Sequence, residues 1–427
     1  MSQIGQCKDE NICVQELNDL PSQAQAECIA DRFAEISNLY QPLNLEDVDI
    51  PDETKPAPLF EPLHIHKKIK SMKKKTSTIF GDIPWKIISE FSVELSQPLA
   101  NIFNTATLEG IWPKSWKVEY VTPVPKVYPP EKIDDLRKIA TTKNLSKIYE
   151  ALLSDYITED MSPHIDRAQF GNQKGLSTTH YLIQMLNKIL TLLDTKNKDE
   201  KMAVIALLVD WNKAFDRQDP LLGIRAFIKN GVRPSLIPIL ASFFQNRRMS
   251  VKWHGYLSGF REMPGGGPQG CIFALLEYLA NSNDNAAHIP IDMRFKFIDD
   301  LTALELINLL LAGLSSYDCK NHVPSDIGVN QKFLAAENTK SQAYLNQIHS
   351  WTQTNFMKLN AEKTKVMVFN FSHENQFSTR LQLEGKLLDT IDETKLLGTI
   401  ITSNLKWRKN TEFLAKRAYK RMIILQN

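Results

Sequence analysis

Hydrophobic positions along the chain change their period several times, and each change marks an element. Val204-Ile-Ala-Leu-Leu-Val209 is an unbroken apolar run that ends at Asp210, the pattern of a strand buried on both faces. In Arg294-Phe-Lys-Phe-Ile-Asp-Asp-Leu-Thr302 the pair Asp299-Asp300 sits between two apolar-alternating runs, which predicts a tight hairpin lifting two carboxylates off a strand end. From Pro84 to Gly110 the apolar positions Ile87, Ile88, Phe91, Leu95, Leu99, Ile102 and Phe103 recur at helical spacing, and Trp112-Pro113 stops the run. Further helices are predicted over 24–40, 144–157, 178–193, 235–245, 271–279 and 339–357. Another starts at the cap pair Asp219-Pro220, runs to Lys229 and ends at Gly231. Strands are predicted over 118–122, 249–253 and 365–371, and around Leu381–Leu383 and Leu396–Ile401. Helices and strands interleave with hairpins, so the class is α+β with a largely antiparallel centre.

Composition narrows the picture. A chain of 427 residues with 43% apolar content can bury one large core or two to three ordinary ones. Lys plus Arg number 51 against 49 Asp plus Glu, so a net charge of +2 gives no global argument for nucleic-acid binding, and any basic surface must be local. Cys7, Cys13, Cys28, Cys271 and Cys319 lack paired zinc-type spacing and are odd in number, which suits a reducing compartment. The N-terminus lacks a secretory pattern, and no apolar run approaches the roughly 18 residues of a membrane span, so secretion and membrane insertion are not expected. Residues 1–63 are polar, with an acidic, proline-rich stretch over 45–62, and read as a tail ending in a linker. The six lysines between Lys67 and Lys75 fit a solvated helix face and a phosphate-contacting patch equally well.

The aspartates carry the chemistry. Adjacent carboxylates repel and are hard to keep ionised together without a cation between them. Asp210, Asp299 and Asp300 at neighbouring strand ends suit a two-metal phosphoryl-transfer site, because hard oxygen ligands favour Mg²⁺ and two ions can clamp the attacking and leaving oxygens. Phe215 follows Asp210 by five residues and reads either as a core ring or as a wall beside the sugar of an incoming nucleotide. Asp216 reads as a capping residue. Met263-Pro-Gly-Gly-Gly-Pro-Gln-Gly270 lets backbone approach a ligand closely before a helix begins.

Taken in order, these blocks resemble the reverse transcriptase domain of non-LTR (LINE-like) retrotransposons over roughly Lys75 to Trp407. Val121-Thr-Pro-Val-Pro-Lys126, Asp135-Leu-Arg-Lys-Ile-Ala140 and Leu145-Ser-Lys-Ile-Tyr-Glu150 resemble fingers blocks, and Gln169-Phe-Gly-Asn-Gln-Lys-Gly-Leu-Ser-Thr178 is similar to a further family segment. The Asp210, Pro-Gln-Gly and Phe-Ile-Asp-Asp blocks correspond to three palm motifs. Leu359-Asn-Ala-Glu-Lys-Thr-Lys365 resembles a lysine-bearing motif, and Leu396-Leu-Gly398 the primer-grip turn.

The resemblance implies a right-hand polymerase fold with an antiparallel-sheet palm and helical fingers. It implies an RNA-directed DNA polymerase that joins deoxynucleoside triphosphates to a DNA primer on an RNA template. Asp210, Asp299 and Asp300 would be catalytic and hold Mg²⁺, or Mn²⁺ in its place, with Asp210 and Asp299 as main ligands. Lys126, Arg137, Phe215, Gln269 and Lys363, or Lys365 in place of the last, would contact the nucleotide. Phe215 would exclude the 2′-hydroxyl, and Leu397 and Gly398 would grip the primer. Expected domains are a tail and linker over 1–63, fingers over 64–200, palm with primer-grip region over 201–407, and the start of a truncated thumb over 408–427. A separate endonuclease partner and nuclear residence follow from the same likeness, with the cytoplasm as the other compartment. Lys138 stands where proline is usual, Asn172-Gln173 replaces Phe-Arg, and Cys271 to Glu277 departs from the usual helix start. The runner-up is a catalytically silent remnant that still binds nucleic acid. An RNA-directed RNA polymerase is disfavoured by Phe215.

Overall fold

The structure, a computed structural model, describes residues 12–52, 55–73, 79, 81–194, 201–309, 315–316, 332–336, 339–371 and 377–426. Lys74, Lys75, Cys7 and Cys319 lie outside the described residues. The chain forms two compact units, each discontinuous in sequence: residues 1–165 with 213–283, and residues 166–212 with 284–427. This division cuts across both the 64–200 and 201–407 segments. Each unit mixes helices with a sheet, the α+β class that the interleaved periodicities imply.

In the first unit Val118–Pro125 pairs antiparallel with Leu136–Thr141 and parallel with Arg248–Trp253, so this sheet is mixed. A helical core stands beside it, built from Pro62–Ser71, Ser92–Glu109, Asn144–Met161, Pro220–Lys229, Ile237–Phe244 and Ile272–Asn281. At its centre Tyr149 stacks between Phe103 and Trp112, with ring centroids 4.7 and 4.8 Å away, and Phe243 and Phe273 meet Trp112 edge-on. Such rings bury the largest areas per residue and account for much of the cohesion here.

The helical run from Pro84 is two helices, Trp85–Glu90 and Ser92–Glu109, because Phe91 leaves helical geometry at ψ 31°. The second ends at Gly110, whose φ of +66° satisfies the left-handed cap that a β-carbon would oppose. Asp219 caps Pro220–Lys229 as its sequence position implies, accepting from the Leu221 amide at 2.8 Å.

The segment read as an N-terminal tail is, from Ile12 on, packed into the first unit, where it builds a second buried cluster. Ile12, Val14, Leu17, Ala26, Ile29 and Ala30 are buried with Val121, Met249 and Val251 of the mixed sheet. The reason lies in spacing: the small apolar positions of Ser22–Ala34 recur every three to four residues and form a narrow stripe within an otherwise polar helix. Composition alone averages that stripe away.

In the second unit the strand order is Asp389–Thr390, Lys365–Phe369, Met202–Val209, Asp300–Asn308, Arg294–Phe297. All neighbours are antiparallel except the first pair. Period-two alternation sends Val204 and Ala206, Leu304, and Met367 and Phe369 to one face, where Tyr181, Met185 and Ile189 of helix Thr178–Leu193 cover them. Tyr181 donates to Thr302 Oγ1 at 2.7 Å, which satisfies a hydroxyl buried in that layer. Helix Lys340–Thr354 is fixed at its start by buried Glu305, whose carboxylate accepts from the Lys340 and Ser341 amides, both at 2.7 Å.

One residue of the first unit opposes its own burial. Glu277 on helix Ile272–Asn281 is fully enclosed, both carboxyl oxygens lack a hydrogen-bond partner, and it occupies the space left by Gly223. Burial, then the charge of Asp219, pushes its carboxyl well above the ordinary range. A raised folded-state value means that the proton binds the folded chain more tightly. The stability so supplied is complete below the ordinary value of about 4.5 and is lost as pH rises toward the folded value. Relative to Glu277→Gln, the natural chain should therefore lose up to about 1.4 kcal/mol per pH unit above that point. Urea denaturation midpoints of the two chains between pH 4 and 8 measure the difference, and parallel pH curves would refute it.

Candidate active site of three aspartates

Antiparallel pairing between Met202–Val209 and Asp300–Asn308 runs from Met202↔Asn308 to Val209↔Leu301. One residue beyond the last pair, Asp210 and Asp300 leave adjacent strands at the same end of the sheet. Asp299 occupies the loop between Arg294–Phe297 and Asp300–Asn308, whose last ladder pair is Phe297↔Asp300. The loop is therefore the two residues Ile298 and Asp299, the tight hairpin that the sequence implies. Its first residue adopts φ +59°. Two-residue hairpins favour glycine there, and a β-branched residue in that region costs of order 1–3 kcal/mol.

Asp210 is held from behind. Its amide donates to Thr364 Oγ1 at 3.2 Å, its carbonyl accepts from the Asn360 amide at 2.9 Å, and Trp211 bridges to Leu359. These contacts bring the Leu359–Lys365 block beside the aspartate. Asp210 Oδ1 is buried without a hydrogen-bond partner.

The carboxylates sense one another. Asp300, half-buried, is raised to about 7 by burial first, then by Asp299 and Asp210. Asp210 is also raised, mainly by burial, with Asp299 adding to the effect and Lys363 opposing it. Lys363 is thus the nearby cation, whereas Lys365 is engaged by Asp389 in an ion pair. Asp299, by contrast, is exposed at the hairpin tip.

A group already gathered as a metal cage, with three or more His, Cys, Asp or Glu, is absent among the described residues. The donor chemistry nevertheless fits a hard divalent cation: three carboxylates, two of which, Asp210 and Asp300, have raised proton affinity, with one buried oxygen unsatisfied.

The other sequence candidates fall in the first unit or in a separate hairpin. Lys126 directly follows strand Val118–Pro125 and Arg137 sits on its partner Leu136–Thr141, both exposed, and Lys126 Nζ donates to the Asp134 carbonyl at 2.8 Å. Phe215 is half-buried, with its ring 5.2 Å from that of Tyr278. Gln269 is held by the Ala140 amide, which donates to its carbonyl at 3.0 Å, and its Nε2 donates to Asp216 Oδ1 at 3.3 Å. Leu397 and Gly398 form the two-residue turn between Glu393–Leu396 and Thr399–Thr402, with φ of +47° and +87°. Such a turn with both values positive matches strand twist, and glycine at its second position removes half of the steric cost.

Three features correct or extend the sequence reading. The cap expected of Asp216 is supplied by Asp219, and Asp216 instead pairs with Lys138, 5% exposed, at 2.6 Å and accepts from Gln269, so one carboxylate neutralises the buried lysine and orients the glutamine. The triple glycine approaches the chain's own atoms. A β-carbon at Gly265 would strike the Tyr40 ring, one at Gly266 the Asp216 carbonyl, and one at Gly267 the Ala274 side chain. Buried Glu150, from the segment Leu145–Glu150, accepts from the Ile272 amide at 2.9 Å and so secures the start of the helix after Gln269. No local pattern marks Glu150 or Lys138, since their partners are 122 and 78 residues away.

The raised value of Asp300 has a measurable sign. Its contribution to stability is complete below about 3.8 and lost as pH rises through about 7. In a chelator, Asp300→Asn should leave stability unchanged at pH 3.5 and raise it at pH 8, by no more than about 1.4 kcal/mol per unit of the interval. Urea midpoints across that range decide it; a less stable variant at pH 8 would remove the electrostatic argument.

No protein-family model matches the chain. It is 25% identical over 364 residues, 84% of the chain and 37% of the relative, to a probable RNA-directed DNA polymerase from transposon BS of Drosophila melanogaster. It is 26% identical over 318 residues, 74% of the chain and 32% of the relative, to the RNA-directed DNA polymerase from mobile element jockey of the same species. A probable RNA-directed DNA polymerase from transposon X-element, also of Drosophila melanogaster, is 27% identical over 186 residues, 43% of the chain and 20% of the relative. The chain spans about a third of the length of the first two relatives. Over most of its length it is thus similar to RNA-directed DNA polymerases of Drosophila non-LTR retrotransposons, the family that its sequence blocks resemble.

Proposed function

We propose that this chain extends a DNA primer on an RNA template, adding deoxynucleotides at a site built on Asp210, Asp299 and Asp300. The observation that carries the reading is the end-to-end pairing of two strands that release Asp210 and Asp300 side by side, with Asp299 in the intervening hairpin loop. Relatives named as RNA-directed DNA polymerases support the reaction class. Two Mg²⁺ ions bound by these carboxylates would activate the primer 3′-hydroxyl and neutralise the departing pyrophosphate.

The chain's own residues supply the rest. The unsatisfied Oδ1 of Asp210 and the carboxylates of Asp299 and Asp300 are the oxygens that would hold the ions. Lys363, whose charge already acts on Asp210, is the acid that would protonate the leaving pyrophosphate. Lys126 and Arg137 would receive the triphosphate, Arg137 through its planar fork, and Gln269 would line the nucleotide pocket. Phe215 would stand against the 2′ position of the sugar, and the Leu397-Gly398 turn would bear on the primer. The product's sequence would come from base pairing with the RNA template, so the protein would contact nucleic acid through backbone and shape, with affinity that falls steeply with salt.

Primer extension on poly(rA) annealed to oligo(dT) with Mg²⁺ tests the reading. The natural chain should extend the primer, and Asp210→Asn or Asp299→Asn should reduce the rate by roughly 1,000-fold or more, as loss of a metal-borne electrostatic contribution entails. Phe215→Val should raise ribonucleotide incorporation relative to deoxynucleotide by about 10- to 100-fold, the discrimination that one steric contact provides. Folded protein that binds the hybrid without extending it would replace this proposal with the silent, nucleic-acid-binding remnant.

A further inference from the structure

Gln169 is remote from the aspartate pair in sequence, yet its side chain reaches the hairpin. It is 5% exposed, and its Oε1 accepts from the Gly171 amide at 2.8 Å and from the Ile298 amide at 2.9 Å. Both donors are N–H groups, so the atom that receives them is the amide carbonyl oxygen. The segment that carries Gln169 is stitched along the neighbouring strand. Lys296 donates its amide to the Ala168 carbonyl at 2.9 Å, and the Phe170 amide donates to the Lys296 carbonyl at 2.8 Å. Asp166 holds Arg294 at 3.0 Å and Lys296 at 2.9 Å, all three little exposed. Gly171 completes the enclosure, since a β-carbon there would lie 2.6 Å from both the nitrogen and the Cγ1 of Ile298.

The Ile298 amide belongs to the turn, beyond the last ladder pair Phe297↔Asp300. Ile298 is also the residue held at φ +59°, where a β-branched side chain does not go without compensation. Relaxation of Ile298 to a negative φ would swing its amide away from the acceptor and re-aim the next residue, Asp299.

We propose that Gln169 is a positioning residue whose side-chain carbonyl pins the left-handed Ile298 turn and thereby fixes the direction in which Asp299 and Asp300 leave the hairpin. Its catalytic consequence rests on the carboxylate reading given above; the clamp itself does not.

Amide hydrogen exchange and primer extension, read on the same proteins, test it. In Gln169→Ala the Ile298 amide should exchange about fivefold faster or more, the effect of one lost hydrogen bond, while amides of Met202–Val209 keep their rates. Extension should slow roughly 100-fold at saturating nucleotide with little change in KM, as misplacement of a reacting group produces. Adding Ile298→Gly to Gln169→Ala should recover much of that rate, because glycine takes a positive φ without strain, whereas adding Ile298→Val should recover none. If Gln169→Ala does not fold, Gln169→Glu retains an acceptor oxygen and should keep the slow Ile298 exchange, while Gln169→Met, of similar shape without that acceptor, should lose it. Unchanged exchange at Ile298 in the alanine or methionine variant, or equal rescue by glycine and valine, would overturn the clamp. Should the natural chain extend no primer, the polymerase reading falls, and the exchange rates still decide the clamp.

Discussion

Electrostatic repulsion among three carboxylates is the constraint around which the second unit is arranged. The ladder between Met202–Val209 and Asp300–Asn308 ends where Asp210 and Asp300 emerge, and nothing in that ladder neutralises them. Burial and mutual charge raise the proton affinity of both, so the unit stores an unfavourable interaction at one end of its sheet. The rest of the unit resists it. Thr364 and Asn360 fix the backbone of Asp210, Glu305 fastens helix Lys340–Thr354, and Tyr181 ties helix Thr178–Leu193 to Thr302. The cation proposed for this site would relieve that repulsion.

Strain and charge coincide at the hairpin. The same two-residue loop that carries Asp299 holds Ile298 at a positive φ, and the supporting hydrogen bond comes from Gln169 in another part of the chain. Local conformational preference opposes this turn, and tertiary contacts override it. Conflicts of that sort persist where a specific direction of a functional group matters more than local stability.

The first unit shows a different economy. Buried polar groups there are matched in pairs across long separations: Lys138 with Asp216, Arg247 with Glu119, Glu150 with the amide that opens helix Ile272–Asn281. Glu277 departs from that pattern, with both carboxyl oxygens enclosed without a partner beside Gly223. The glycines of the Pro-Gln-Gly block serve close packing against Tyr40, Asp216 and Ala274, and the N-terminal segment reaches that block through Ser37, whose hydroxyl accepts from the Gly265 amide at 2.9 Å.

Periodicity and turn chemistry determined most elements without help. The apolar run before Asp210, the Asp299-Asp300 hairpin and the Asp219 cap are local patterns, each governed by neighbours within a few residues, and each stands where the sequence places it, whereas the strand expected over Leu396–Ile401 is broken by the turn at Leu397-Gly398. The order of the aspartate and Pro-Gln-Gly blocks was likewise legible, and with it the family likeness. Tertiary structure alone decided which distant groups meet. That Lys363 acts on Asp210 while Lys365 is engaged by Asp389, that Asp216 neutralises Lys138, that Gln169 supports Ile298, and that the polar N-terminal segment joins a core all depend on contacts between residues remote in sequence. Hydrogen bonds and ion pairs are short-ranged and directional, so a linear pattern names the groups able to form them, and only the fold selects the partners.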